Sequence, residues 1–569
     1  MKHSTCGFLH KMTRMLGILL AMCILLTGMQ TGAWAEKSGS FRYSSLKYVR
    51  PDLEQMKQDI DAVKEALDQQ KRYRVVESLL DTVYEDYWNF DTMYTLAELK
   101  SYHDTTDVFY AQEYLWCDEN YYTVHEMMKD MLCDCAVSSI AEQLEQKYFW
   151  EGFCEDYAEP NDPETTEKLD ELTREESSLL SQYRELMSMP TIGEDELERD
   201  YYNALDDTKT DEEYREVFLS YYEKYAPKAA ELYIRLMAVR EEMAVLLGYE
   251  SYEQMQYEAT FYREYTPEDA DRYLQDIQTY MVPLYQRMLE NEAYSDLYYG
   301  EMDDESLLDI LDELTKQFGG NVRDAFRFMK RSGCYDLEYS VQKGTFSFQT
   351  YLNYYDAPFL FINPEGTLFD VLTAAHEFGH YAEAFTNRNA EESTDLAEVY
   401  SQAMEYLSLP FLWDCLEEED ADSVVLLKLY DTVEMYVQQA SFAEFEARLY
   451  RLGSENLTAE IIEQTSLEVA KEFGYYEEDW DDYYAKSWFE IGHFFSYPFY
   501  VIAYTVSVDP ALQMFAMEIE EEGSGFQQFD KMLERTSATL LSELEDAGLK
   551  SPFERGRVRE TAEFLAQFV

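Results

Sequence analysis

Histidine and positive charge are what this chain has least of. Its 569 residues hold seven histidines, and 46 Lys+Arg stand against 115 Asp+Glu, for a formal charge of −69. A field of that sign repels nucleic acid and anionic membrane surfaces, so neither is expected as a partner. It favours solubility and can attract cationic peptides. Long apolar runs are equally scarce. The one candidate, Leu16–Leu26, is too short to favour a membrane span. It follows Lys2, Lys11 and Arg14 and precedes the small-x-small stretch Ala33-Trp34-Ala35, so residues 1–35 read as an export signal. Cleavage near Ala35 would release a chain that acts outside the cytoplasm with no stable membrane insertion. Cysteine is sparse too. Six remain after Ala35: Cys117, Cys133, Cys135, Cys154, Cys334 and Cys415. None has a zinc-finger or C-x-x-C spacing, and both a bridge among the first four and buried free thiols stay open. Disorder is excluded, despite the charge, by 50 Tyr and 32 Phe.

Two of the scarce histidines stand four residues apart in HEFGH, His376 to His380. On a helix, positions i and i+4 lie one turn apart on the same face, so both rings can reach one metal ion. Glu377 beside them is placed to handle the proton of a water, which is the zinc-peptidase arrangement. Val371, Ala374, Ala375, Phe378, Ala382 and Phe385 form an apolar stripe at spacings of three and four, about opposite the histidines. Gly379 costs about 1 kcal/mol relative to Ala inside a helix, which points to a close approach by another element.

A catalytic zinc usually takes a third protein ligand. The next helical segment, Ser393–Leu407, offers Glu398 and Glu405, two turns apart on one side, and either could reach the metal. Ser393, Thr394 or Asp395 can cap its start. Most of the chain reads as helix, with long periodic segments at Glu164–Met187, Asp211–Leu247 and Pro267–Glu290 and a Pro-led helix from Pro51. The exception is Thr345–Asn363, where FSFQTYL and APFLFIN read as short strands. A strand before the metal helix can pair with extended substrate, which makes Ala357 and Phe359 candidate substrate contacts. Ser188–Glu196 breaks the helical pattern and divides an N-terminal helical lobe, 36–195, from a catalytic domain, 196–569. His493, Tyr497, Tyr500 and Tyr504 are candidates to stabilise an oxyanion. Pro498 is expected to begin a helix, with His493 and Tyr497 in the loop before it.

HEFGH followed by DLAEVYSQAMEYL resembles the zinc metallopeptidases of the oligoendopeptidase F and thimet oligopeptidase family. Arg235–Gln254, Gly333–His380 and His493–Ser507 are similar to further stretches of that family, in the same order. The resemblance implies Glu398 as third ligand to one Zn2+ per chain and Glu405 as a group orienting an imidazole. It also implies His493, Tyr497 and Tyr504 near the scissile carbonyl. Tyr500, four residues from Tyr504 and on the same face, is read as a substrate contact. The expected fold is mainly α, a two-lobed HExxH metallopeptidase with a deep substrate channel and a small β-sheet beside the zinc helix. The expected activity is hydrolysis of internal bonds in short peptides, with Glu377 as general base. Two other readings stand beside it: a dipeptidyl carboxypeptidase-type HExxH enzyme, and a non-catalytic exported peptide-binding protein.

Overall fold

The computed structural model describes residues 41–568, apart from short stretches at 151, 158–162, 189, 194–198, 292–299, 301, 303–305, 391, 416–417 and 478. The expected export signal and the side chain of Cys415 lie outside the described residues. Among the described residues the structure is mainly helical with a small sheet, as the periodicity of the sequence predicts. Among the described residues no helix is long and apolar enough to cross a membrane. The other five cysteines are free thiols, and Cys117, Cys135 and Cys334 are buried.

The chain forms two compact units, each built from three separate stretches. The first takes the described residues up to Pro160, then Tyr298–Val425 and Pro510–Leu549. Its N-terminal part packs three helices, Leu53–Asp68, Tyr73–His103 and Val108–Ala136. Asp52 and Asp107 cap the first and third by accepting backbone N–H groups that have no partner within the helix. Val63, Val76, Leu80, Val83, Phe90 and Leu132 fill the core between them.

The same unit holds the sheet foreseen before the HEFGH helix. Strands β4 (Ser347–Leu352) and β5 (Ala357–Ile362) pair antiparallel, and β3 (Tyr335–Asp336) adds to β5 in parallel, for the order β3-β5-β4. Strands β1 (Thr191–Ile192) and β2 (Arg199–Asp200) pair as a two-residue antiparallel ladder in the second unit. One expectation is corrected here. β5 is the central strand, with a neighbour on each side, and Ala357 and Phe359 are 0 % and 1 % exposed. β3 pairs only with Leu360 and Phe361, but the burial of Ala357 and Phe359 leaves substrate no access to them, and the strand's apolar side chains fill the core on both faces. The edge strands are the two-residue β3 and the longer β4.

The second unit takes Asn161–Leu297, Leu426–Asp509 and Lys550–Val569. Its long helices include Pro163–Ser188, Asp211–Leu246 and Pro267–Leu289, close to the periodic segments of the sequence. Thr266 closes a capping box with Asp269 at the start of the last. Arg240, 1 % exposed, pairs with Glu176 at 2.7 Å and donates to the carbonyls of Phe494 and Phe495. A buried guanidinium needs such partners, so Arg240 ties the helical body to the segment that carries His493.

Candidate metal centre and catalytic residues

The HEFGH helix spans Phe369–Asn387. Asp370 anchors its first turn, accepting from the backbone N–H groups of Glu365, Gly366 and Thr367 at 3.0, 2.7 and 2.9 Å. The apolar stripe is buried from Val371 to Ala382, with Phe385 part-exposed at its end, while His376 and His380 are part-exposed on the other face. The following helix, Thr394–Cys415, packs against it. Gly379 is the point of closest approach. A Cβ there would lie 2.5 Å from the Tyr400 carbonyl oxygen and 2.6 Å from Ser401 Cα. Only glycine permits that spacing. Arg535 locks the connection between the two helices. It bonds Glu383 at 2.9 Å, donates to the Ala390 carbonyl and lies 3.7 Å from Glu392.

This packing separates the two glutamates that the sequence leaves equivalent. Glu398 Oε2 lies 3.7 Å from His376 Nε2 and 3.9 Å from His380 Nε2. Ligand atoms of His376, His380 and Glu398 all fall within 4.8 Å of one another, a set that could hold a metal ion. Glu405 Oε1 instead meets His376 Nδ1 at 2.8 Å. That contact orients the ring and leaves Nε2 for a metal. Ser401 donates to Glu398 Oε2 at 3.2 Å and so aims the carboxylate. Two imidazoles and a carboxylate, with one position left for water, fit zinc.

The electrostatics favour a cation here. Burial opposes charge on His376, but Glu405, Glu398 and Glu377 outweigh it and raise the ring to about 9. His380 has no such hydrogen bond, and burial lowers it to about 4. Glu377 is raised to about 7 by burial, with His376 and a hydrogen bond from the Gln349 backbone N–H pulling the other way. Gln349 lies on β4, so the edge strand faces the Glu377 carboxylate. The sequence reading did not single out Gln349. Its backbone group, not its side chain, makes the contact, and no residue type signals that.

His493, Tyr497, Tyr500 and Tyr504 form one cluster in the second unit. Ring centroids of Tyr497, Tyr500 and Tyr504 lie 6.4, 5.3 and 6.1 Å from His493. The local backbone differs from the expected one. His493 lies in a one-turn helix, Gly492–Ser496, and the next helix begins at Ile502 rather than at Pro498. The cause is Phe499, at φ +64°, a left-handed conformation that no right-handed helix can contain. Glu446 receives the Phe499 N–H at 2.6 Å, a contact with no signal in sequence.

Residues 43–153 match the model of the peptidase M3 N-terminal domain, and residues 302–560 match that of peptidase family M3. Together these spans take in well over half of the chain. Among solved structures, the chain is similar to PZ peptidase A bound to an inhibitor, with 20 % identity, TM-score 0.73 and coverage of 93 % of this chain and 99 % of that one. A candidate oligoendopeptidase F of Bacillus anthracis str. Ames gives 22 %, 0.69, 93 % and 98 %. An oligoendopeptidase-F from Enterococcus faecium gives 18 %, 0.60, 91 % and 96 %. At these identities the likeness speaks for the fold. No curated protein matches the chain by sequence.

Proposed function

This chain belongs to peptidase family M3, a family of metallopeptidases, and from that premise we propose that it is an exported, zinc-dependent oligopeptidase cutting internal bonds of short peptides. The observation that carries the reading is the convergence of His376, His380 and Glu398 within 4.8 Å, with Glu377 beside them. Bound by those three residues, zinc supplies a Lewis acid that makes water a nucleophile near neutral pH and polarises a carbonyl. Glu405 keeps a hydrogen bond on His376 Nδ1 and so commits Nε2 to the ion. The Glu377 carboxylate takes a proton from the attacking water and passes it to the leaving amine nitrogen. An extended peptide pairs with the edge of β4, in place of β5. By the family resemblance, His493, Tyr497 and Tyr504 donate to the carbonyl oxygen as charge builds on it. Tyr500, in the same ring cluster, touches the substrate.

Metal content and turnover, measured together, test the division of roles. Glu377→Gln should keep zinc and lose most of kcat. Glu398→Gln should lose zinc and activity alike. Equal zinc loss in both variants would refute the assignment, and loss confined to Glu405→Gln would make Glu405 the ligand. Export rests on the N-terminal sequence, and the mature protein recovered outside the cytoplasm should begin near Glu36. An intact N-terminus there would rule out cleavage.

A further inference from the structure

We propose that an aromatic-walled cavity in the second compact unit is a specificity pocket that takes an aromatic side chain of the peptide substrate. The cavity holds about 790 Å3 and is lined by Phe442, Phe445, Tyr475, Tyr483, Tyr484 and Trp488. His493, Tyr497 and Tyr504 belong to the same lining. The inference rests on the reading that those three residues act at the scissile carbonyl. A side chain held in this cavity then belongs to a residue within about two positions of the cleaved bond, since each residue of an extended chain advances roughly 3.3 Å.

Three observations select the occupant. The first is shape. Phe442 meets Tyr475 edge-on at 6.4 Å and 86°, and Tyr475 meets Tyr484 at 6.3 Å and 84°. Rings so arranged present both faces and edges, and a further ring can join them by offset or edge-to-face contact. The second is rigidity. Gln438 Nε2 holds the Tyr475 hydroxyl at 2.6 Å, and Ser466 Oγ holds the Tyr484 carbonyl at 2.7 Å. A preformed wall loses little entropy on binding. The third is charge. The lining has no lysine or arginine and one acid, Glu490, which accepts from the Tyr222 hydroxyl at 2.8 Å. An acidic side chain entering it would find no cation and one like charge. The volume falls in the range of about 300–1,000 Å3 that holds drug-sized ligands, which leaves room for an aromatic side chain together with its neighbours in the peptide.

The test uses peptides that differ only at single positions flanking the cut, bearing Phe, Ala or Glu, digested by the zinc-loaded protein. At one position, kcat/KM for Phe should exceed that for Ala by about ten-fold or more, with Glu poorest. Ala470, in the same lining, offers a way to crowd the aromatic wall. In Ala470→Trp the Phe/Ala ratio should collapse toward about one. Gln439→Trp narrows the cavity from a part-exposed helical position and carries the test if Ala470→Trp does not fold. Cleavage with no Phe preference, or a ratio unchanged in the folded variants, overturns the pocket while leaving the peptidase reading intact. No cleavage in any series overturns both.

Discussion

The carboxylate of Glu446, 1 % exposed, accepts a 2.6 Å hydrogen bond from the backbone N–H of Phe499, whose φ is +64°. A left-handed non-glycine residue costs on the order of 1–3 kcal/mol and persists only where its surroundings hold it. Glu446 is that hold. The backbone it fixes carries Tyr500 and leads into the helix of Tyr504. Glu446→Ala leaves a buried N–H unpaired and should cost about 1–3 kcal/mol of stability. Glu446→Gln keeps an acceptor in place and should retain most of it. Thermal melts of the two variants check the contrast, and equal losses would deny the role of the hydrogen bond.

Glu446 also predicts a pH dependence. Burial raises its pKa from 4.5 to about 8, with the Phe499 N–H, Arg240 and Arg263 pulling the other way. Between those values the folded chain keeps a proton that the unfolded chain has lost. The stabilisation is therefore complete below about pH 4.5 and is lost as pH rises through about 8, at most ~5 kcal/mol in all. Denaturation midpoints at pH 5.5, 7 and 8.5 should fall along this slope in the wild type and flatten in Glu446→Gln. The same slope in both proteins would place the effect elsewhere.

Gly379→Ala tests the helix contact behind the metal site. Intrinsic propensity alone favours Ala over Gly by about 1 kcal/mol. The added Cβ, however, would meet the backbone of Tyr400 and Ser401 at 2.5–2.6 Å, so the two helices must part. Overpacking of this kind costs about 1–3 kcal/mol, which reverses the sign. Zinc affinity should drop with stability, because Glu398 rides on the displaced helix. A stabilised variant with unchanged zinc affinity would contradict the close approach.

Tyr504→Phe removes one hydroxyl. If that hydroxyl meets the developing oxyanion, kcat falls by about 10²-fold while KM moves less. His493→Ala should behave alike and keep its zinc. Wild-type turnover in Tyr504→Phe would shift the role to Tyr497 or Tyr500.

Substrate length separates an oligopeptidase from a general protease. Peptides of about 5 to 20 residues should be cut, spanning tens of ångströms at roughly 3.3 Å per residue. Denatured casein should survive. Its digestion at many internal sites would remove the oligopeptidase label and leave the metal chemistry standing.

Much of this protein is legible in its sequence because the relevant physics is local. A four-residue spacing sets His376 and His380 on one helical face. The stripe from Val371 to Phe385 says which face is buried, and Gly379 marks a close neighbour before the neighbour is known. The strands within Thr345–Asn363 are legible for the same reason, since alternation and turn residues act over a few positions. What the sequence leaves open depends on atoms far apart along the chain. Glu398 and Glu405 are equivalent by helical phase, and only the packing at Gly379 sends one toward both imidazoles and the other to His376 Nδ1. The apolar run Ala357–Ile362 does not reveal its place in the sheet, and its partners make it central and leave β4 at the edge. Pro498 suggests a helix start, but a carboxylate 53 residues earlier holds Phe499 out of it. The two compact units exist only once their three stretches meet, and the cavity exists only once residues spread from 438 to 504 come together. Helical phase is a property of neighbours in sequence, whereas edges, cavities and ligand convergence are properties of neighbours in space.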